Sequence, residues 1–576
     1  MEAQKELIRP AAPRIAVQVT FPDGTILEGP VGTALETFVH AYERERTPDS
    51  ALTVAAIVDG LLRELTMPVT RDISVNLVKT DSGDGTRIYR RSLAFLLTVA
   101  AAELFPGTQT LIDYALPSGA FFCKVRGREP FSERELRAIE TRMREIVAAG
   151  DPITRHTISL EKAVELFSGC GDDDKVRLLE FRAKNYLTIY KLRGQVDYFY
   201  GYMVPNTGYL TLFNILAEED GFILQYPRRE SPNIIRPYVK SPQMSEVFRR
   251  TEEWLTLLGV EDIGHLDRAI RDGRSRELVL VNEALHEQHI AQIASEIQHR
   301  HKDGLRLVLI AGPSSSGKTT FSKRLAIQLM AHGLKPYPLE MDRYFVDRPL
   351  TPRDEHGEYD FEALEAVDLG LFNEQVLALT ASKPVHIPHY DFVSGLRSFE
   401  EKAICLSADH ILIVEGIHGL NPRLVEALPT ERTFRIYVSA LTQLNIDRHN
   451  RVPTTDLRLI RRIVRDSIYR GYTAMDTLSR WESVRRGEKR NIFPYQENAD
   501  VMFNSALVYE LAVLRPLAEP LLLQIEPRQQ YYIEARRLLS ILGWLKTMSA
   551  DLVPDNSLLR EFIGGSILRD YMPGVA

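Results

Sequence analysis

The sequence predicts a multidomain α/β and α+β protein in which a parallel sheet flanked by helices, residues 304–508, follows a smaller, β-rich front half. Three observations predict it. Residues 305–310 (Leu-Arg-Leu-Val-Leu-Ile) form a short, nearly continuous apolar run, the pattern of a strand buried on both faces, and helices and strands alternate from there to about Asn504. That run leads into Gly312-Pro313-Ser314-Ser315-Ser316-Gly317-Lys318-Thr319 and then into a helical pattern over 320–330. Near the start, Ile15-Ala16-Val17-Gln18-Val19 runs into Pro22-Asp23-Gly24, a hairpin signal that predicts a small α+β module over 14–80.

A chain of 576 residues exceeds one hydrophobic core, which gives a prior of roughly three to five domains. We divide it into 14–80, 81–235, a helical connector 236–303, the parallel-sheet domain 304–508 and a helical segment 509–576. Hydrophobic residues at 44% and charged residues at 26% exclude a disordered or fibrous class. A net charge of −7 gives no overall pull toward nucleic acid or anionic membrane. Cys123, Cys170 and Cys405 lack the paired spacing of a zinc or redox motif, which fits a reducing compartment. Met1-Glu2-Ala3-Gln4-Lys5-Glu6 shows no basic-then-apolar pattern, and the longest mainly apolar stretch, 93–102, is too short to span a bilayer. The expected location is cytoplasmic, without membrane contact.

Helical patterns are expected over 92–104, over 133–149 and at the end of the connector. In the second, Ser132 and Glu135 have the spacing of a capping box. In the third, the apolar residues of 287–297 recur at three- and four-residue steps.

The segment 312–319 fits G-x-x-x-x-G-K-[ST] in the setting its mechanism needs, after a strand and before a helix. Gly312 through Thr320 are therefore expected to cradle phosphates, with backbone N–H groups and the positive end of the helix facing the anion. Lys318 would reach the β- and γ-phosphates and the Thr319 hydroxyl would ligate magnesium. Two strand-like runs end in acids. Residues 337–341 lead to Asp342, with Tyr344 beyond, and a carboxylate there can accept a proton from an attacking hydroxyl. Residues 410–414 lead to Glu415, the pattern of an acid that helps hold magnesium. The alternatives are a turn-capping Asp and a solvated strand-terminal Glu. Arg458, Arg461, Arg462 and Arg465 recur at helical steps, so most share a face. Such a run is commonly a solvated face, but guanidinium groups closing as a lid over a transferring phosphoryl group are the functional reading.

Over about 305–504 the chain resembles the uridine-cytidine kinase and phosphoribulokinase family. The likeness is carried in order by the phosphate loop, Met341-Asp342-Arg343-Tyr344-Phe345, Tyr359-Asp360-Phe361, His389-Tyr390-Asp391-Phe392, Val414-Glu415-Gly416-Ile417, the arginine helix with Arg470-Gly471, and Ala499-Asp500-Val501. The resemblance implies a P-loop kinase that uses ATP and Mg²⁺, with Asp342 as general base. It assigns Asp360 to ribose hydroxyls, Tyr390 and Phe392 to a base pocket, and Tyr344, Arg397, Arg458 and Arg465 to substrate or phosphates. The implied acceptor is a nucleoside. A phosphorylated sugar is the alternative acceptor, and a nucleotide-switched RNA-binding or regulatory protein is the alternative class. Gly395 stands where the pyrimidine kinases carry a base-reading histidine, leaving His389 and His418 as candidates, although a lone His near an apolar strand is more often structural.

The front half resembles the TGS domain (14–80) and the adjoining editing domain of threonyl-tRNA synthetase. The motifs are Arg90-Arg91-Ser92-Leu93-Ala94-Phe95-Leu96-Leu97, Glu103-Leu104-Phe105-Pro106, and the segment 196–205. The synthetase His-x-x-x-His and Cys-x-x-x-His positions are here Arg91, Phe95, Phe199 and Met203, so editing hydrolysis is expected to be absent. Ligand-gated regulation, RNA contact, dimerisation and inert scaffolding are the open roles of this half, and a homo-oligomer is expected.

Overall fold

The computed structural model describes residues 13–46, 51–353, 357, 359–424, 429–442 and 444–573; the first six residues, read above for a leader pattern, lie outside them. β1 (Ala16–Thr20) and β2 (Ile26–Pro30) form the expected hairpin. Gly24 takes a positive φ of 85° at its turn, and Asp23 accepts the Thr25 N–H at 3.0 Å. After α1 (Leu35–Arg44), β3 (Thr53–Val58), β4 (Leu61–Glu64) and β5 (Ile73–Lys79) complete a five-stranded sheet of order β2-β1-β5-β3-β4.

The next unit opens on α2 (Gly83–Leu104), which begins nine residues before the expected 92–104. The cause is local: the Ser82 side chain caps Gly85 N at 3.1 Å. A Cβ at Gly85 would lie 1.9 Å from Lys79 O, so the glycine that weakens the helical signal is the residue that lets the helix start there. β6 (Gln109–Leu116) and β7 (Ala120–Arg126) precede α3 (Glu133–Ala149), which carries the expected Ser132/Glu135 capping box. Then come β8 (Thr154–Ser159), α4 (Leu160–Cys170), α5 (Asp173–Leu179), β9 (Tyr186–Leu192), β10 (Gln195–Asp197), β11 (Asn214–Glu218) and β12 (Gly221–Gln225). β11-β12-β7-β6 form an antiparallel sheet.

Helices α6 (Pro242–Leu258), α7 (Ile263–Arg271) and α8 (Ser275–Lys302) lead to the third unit. It contains β13 (Leu307–Ala311), α9 (Lys318–Ala331), β14 (Lys335–Glu340), α10 (Leu369–Thr380), the hairpin β15 (Pro388–Asp391)/β16 (Leu396–Phe399), β17 (His410–Glu415), β18 (Thr433–Ser439), α11 (Thr454–Arg470), α12 (Ala474–Asn491) and β19 (Val501–Asn504). The sheet order is β14-β17-β13-β18-β19 and every pairing is parallel, so the loops after β13, β14 and β17 meet at one edge, where open α/β sheets place ligands. α13 (Glu510–Leu523), α14 (Tyr532–Leu542) and the short turn α15 (Arg560–Ile563) close the chain.

Connector, sheet domain and C-terminal segment share one hydrophobic core: Ile290, Ile293 and Ile297 of α8 join Phe321 and Leu325 of α9 and Leu511, Leu538 and Ile541 beyond. Among the described residues no helix is long and apolar enough to cross a membrane. The loop 446–453, between β18 and α11, seats in the front half. His449 Nδ1 hydrogen-bonds the Asp197 carboxylate at 2.6 Å and its Nε2 meets Thr110 O at 2.9 Å. Ile112 N donates to Arg448 O at 2.9 Å and Tyr200 Oη to Arg451 O at 2.8 Å. Beneath them Lys175, 1% exposed, pairs with Asp197 at 2.9 Å. Phe95, Phe199 and Met203 are core side chains, with the two rings 5.3 Å apart, so apolar packing fills this part of the interior.

Asp197→Asn would leave buried Lys175 short of its nearest countercharge. The expected cost is about 3 kcal/mol, read as a lower urea midpoint and as faster proteolysis at the seam between the halves.

Candidate functional site

The site is built on the turn from β13 into α9. Gly312 sits so close to β18 that a Cβ would lie 2.0 Å from Val438 O. Ser315 (φ 58°) and Gly317 (φ 88°) take left-handed backbone conformations, which wrap the loop so that its N–H groups point inward. Gly317 is the N-cap of α9 and has no side chain to satisfy the first-turn donors. The Ser315 and Ser316 hydroxyl oxygens are buried without a partner. These orphaned hydroxyls at the head of α9 fit a bound phosphate chain.

Thr319 Oγ1 lies 3.0 Å from Glu415 Oε1, the hydroxyl–carboxylate pair that would hold Mg²⁺. Lys318 lies along the loop with Nζ 3.4 Å from Pro313 O. Burial raises the carboxyls of Asp342, Glu362 and Glu415, the latter two to about 7, and in each case Lys318 is a charge that pulls the value back. Asp342 is open to the cleft, so its shift reflects the surrounding protein mass rather than enclosure. One lysine at the phosphate loop thus couples to three acids, from the ends of β14 and β17 and from the segment after Tyr359.

Several assignments change. Arg458 and Arg461 are fully buried and form no lid. Arg458 pairs with Glu488 and donates to Ser314 O at 3.1 Å; Arg461 pairs with Glu510 at 2.6 Å and donates to Ser505 O at 2.8 Å. They brace the loop from behind, because a loop that turns its N–H groups to a ligand turns its carbonyls into the protein. Arg465 is tied to its neighbour Asp466 at 3.0 Å. Arg462 donates to Ser314 Oγ at 2.8 Å and acts on Glu362, so this member of the run approaches the site. Tyr344 is a core residue with its hydroxyl on Gln375 at 2.9 Å, not a substrate contact. Arg397 is held by Asp368 at 2.8 Å. Asp360 receives the Glu362 N–H at 3.1 Å and pairs with Arg490 at 3.3 Å, which places Glu362, two residues on, among the loop's charges instead.

Tyr390 and Phe392 pack edge to face, 5.1 Å apart, and both meet Phe345. Phe392 is 56% exposed and the Tyr390 hydroxyl is buried without a partner, an aromatic wall beside the acids. Gly395 has φ 75° and Arg348 packed where a Cβ would go, at 2.7 Å, so a side chain is excluded there. His389 is exposed. His418 is buried, held neutral with its pKa pushed down to about 4 by burial.

Sequence reasoning missed Glu362, Glu488 and Glu561. Glu561, from the C-terminal turn, accepts from Thr320 N at 3.2 Å and from Thr320 Oγ1 at 2.9 Å, and Leu558 packs against Gly317. A carboxylate therefore occupies a first-turn donor of α9. No local pattern marks Glu488 and Glu561 as site residues, since the partners that tie them to the phosphate loop, Arg458 and Ser314 for the first and Thr320 for the second, lie 30 or more residues away.

Glu561→Ala is expected to tighten ATP binding about two- to tenfold by freeing that donor; calorimetry showing equal or weaker affinity would refute the competition. Glu415 has a raised folded-state pKa, so its contribution favours folding below its unfolded pKa near 4.3 and is lost as pH rises through about 7. Glu415→Gln should accordingly raise the Tm of the ligand-free protein at pH 8, with little change at pH 4.5, while removing magnesium-dependent stabilisation by nucleotide.

Comparison with known proteins finds likenesses in two parts of the chain. Residues 307–512 match the model of the phosphoribulokinase / uridine kinase family. The threonine–tRNA ligase of Agrobacterium fabrum is 33% identical over 165 residues, 29% of this chain and 24% of the ligase. That of Rhodospirillum rubrum is 31% identical over 204 residues, 35% of this chain and 31% of the ligase. The chain thus spans under a third of the length of these relatives. The solved structure of a possible uridine kinase from Bacillus stearothermophilus is 18% identical, covering 35% of this chain and 89% of that one with a TM-score of 0.24. Residues 307–512 thus match the phosphoribulokinase / uridine kinase family, in a chain whose N-terminal part is similar to threonine–tRNA ligases.

Proposed function

We propose that the protein is an ATP- and Mg²⁺-dependent nucleoside kinase that transfers the γ-phosphoryl group to a 5′-hydroxyl. The observation that carries this reading is the Thr319 hydroxyl on Glu415 Oε1, 3.0 Å apart at the head of the phosphate loop, with Asp342 just beyond the end of the adjacent strand β14. A site that only sensed nucleotide would have no use for acids on the acceptor side. In the proposed reaction Asp342 takes the proton of the attacking hydroxyl, and Lys318 offsets charge on the transferring group. Thr319 and Glu415 hold magnesium, which when bound supplies charge neutralisation between the phosphates. Glu362 is the acceptor-side acid suited to ribose hydroxyls, and Phe345, Tyr390 and Phe392 offer faces for a planar base.

The same acids weigh against a phosphorylated sugar as acceptor, because its phosphate would enter a cleft lined by carboxylates, with Arg397 and Arg343 already paired to Asp368 and Glu400.

Incubating the protein with ATP and a panel of nucleosides and sugar phosphates tests the assignment: phosphate on a nucleoside is expected, and product only on a sugar phosphate, or ATP hydrolysis alone, would overturn it. Asp342→Asn should keep ATP affinity while lowering kcat about 10²- to 10⁴-fold; wild-type turnover would remove Asp342 from the chemistry.

A further inference from the structure

The front half and the kinase domain meet at a cleft that the proposed reaction does not use. It lies where α2, the strands β6 and β7, and Phe199-Tyr200 face the seated loop 446–453, and Arg90, Arg91 and Arg451 line it together. Among the described residues, no carboxylate stands within ion-pair distance of these three. Arg91 gives one N–H to Tyr202 O at 2.7 Å and Arg451 gives Nε to Asp113 O at 2.9 Å. Arg90 makes no hydrogen bond there, its guanidinium lying 6.0 Å from the centre of the Phe121 ring. The nearby acid Asp113 is paired with Lys124 at 3.4 Å. A fourth lining residue, Arg87, is neutralised by Asp84 and Glu534 but keeps a buried Nε without a partner. Burial draws the Arg91 and Arg451 guanidinium groups below their ordinary range, Arg451 to about 10, and in both the neighbouring Arg90 adds to the depression.

Three like charges gathered at a half-buried seam oppose one another, and ring contacts at these distances offset only about 0.5–1 kcal/mol each. The missing component is an anion. Guanidinium forks match the paired oxygens of a phosphate, and the half-buried Tyr200 adds an aromatic ring beside them, whereas Phe121 is buried beneath Arg90 and Arg451. We propose that this cleft binds a small nucleoside phosphate, its phosphate shared by Arg90, Arg91 and Arg451 and its planar base against Tyr200. The site bridges the two halves of the chain: Arg90 and Arg91 belong to α2, while Arg451 stands at the entry to α11, whose Arg458 and Arg461 brace the phosphate loop. Its occupancy therefore fixes the loop on which that bracing helix begins.

The test is calorimetry on the full chain carrying Lys318→Ala, which weakens nucleotide binding at the phosphate loop, with UMP, AMP, inorganic phosphate and a short single-stranded RNA as probes. Saturable binding of a mononucleotide is expected, weakened about tenfold by Arg90→Ala and largely restored by Arg90→Lys. Arg90 makes no hydrogen bond in the free protein, so its variant should fold; an unchanged Tm without ligand checks this. Arg451→Ala serves as the second variant. Tighter binding of the RNA would identify an RNA end as the source of the phosphate, and equal binding of inorganic phosphate would overturn the base contact. Absence of saturable binding by every probe, or binding indifferent to both Arg90→Ala and Arg451→Ala, would overturn the site. Neither result bears on acceptor phosphorylation at Asp342, so the kinase reading stands or falls separately.

Discussion

The phosphate loop is held in shape by two buried ion pairs, Arg458 with Glu488 and Arg461 with Glu510. A loop that turns its N–H groups outward must send its carbonyls inward, and there Ser314 O and Ser315 O accept from these guanidinium groups while Ser316 O is shared between Arg461 and the Ser505 hydroxyl. Each arginine in turn is tolerable in the interior only because a carboxylate neutralises it. Glu488 goes further and accepts the Ser314 N–H at 3.0 Å, binding α12 to the loop as well. The arrangement makes α11 part of the scaffold of the site, which is why it cannot also act as a mobile cover.

Around this rigid loop the acids are held at a cost. Asp342, Glu362 and Glu415 crowd one lysine, and burial raises each of them. A cluster of this kind lowers the stability of the protein at pH values where all three acids are charged. The C-terminal turn relieves the loop in the meantime, with Glu561 on Thr320 and Lys323 Nζ on Leu568 O at 2.7 Å. The last segment of the chain is thereby structurally part of the nucleotide end of the site.

The front half packs directly against the kinase-family domain. Its apolar residues Phe95, Phe199 and Met203 fill the interior, while Asp197, Tyr198 and Tyr200 grip the kinase loop 446–453 through His449 and Asn450. Trp544 Nε1 donates to Tyr198 Oη at 2.9 Å, so the C-terminal helices reach the same seam. The two homologies therefore meet in one packed body rather than at a linker.

Local sequence was enough to determine the hairpin at Gly24, the capped helix at Ser132, the parallel sheet and the phosphate loop, because each is specified by residues within a few positions of one another. It was also enough to place Glu415 and Asp342 at strand ends. It misjudged residues whose role depends on distant partners. The spacing of Arg458 and Arg461 says that they share a helical face, and only packing decides whether that face meets solvent or the back of a loop. Asp360 and Glu362 differ by two positions, and only the tertiary structure shows that the first pairs with Arg490 while burial raises the second to about 7. Glu488 and Glu561 could not be found at all, since a hydrogen bond across 174 or 241 residues leaves no local pattern. Composition and short-range chemistry thus determined what the chain can bind; the direction of each charge, toward ligand or toward backbone, was decided by the tertiary structure, because burial and long-range pairing set where a charge is tolerated.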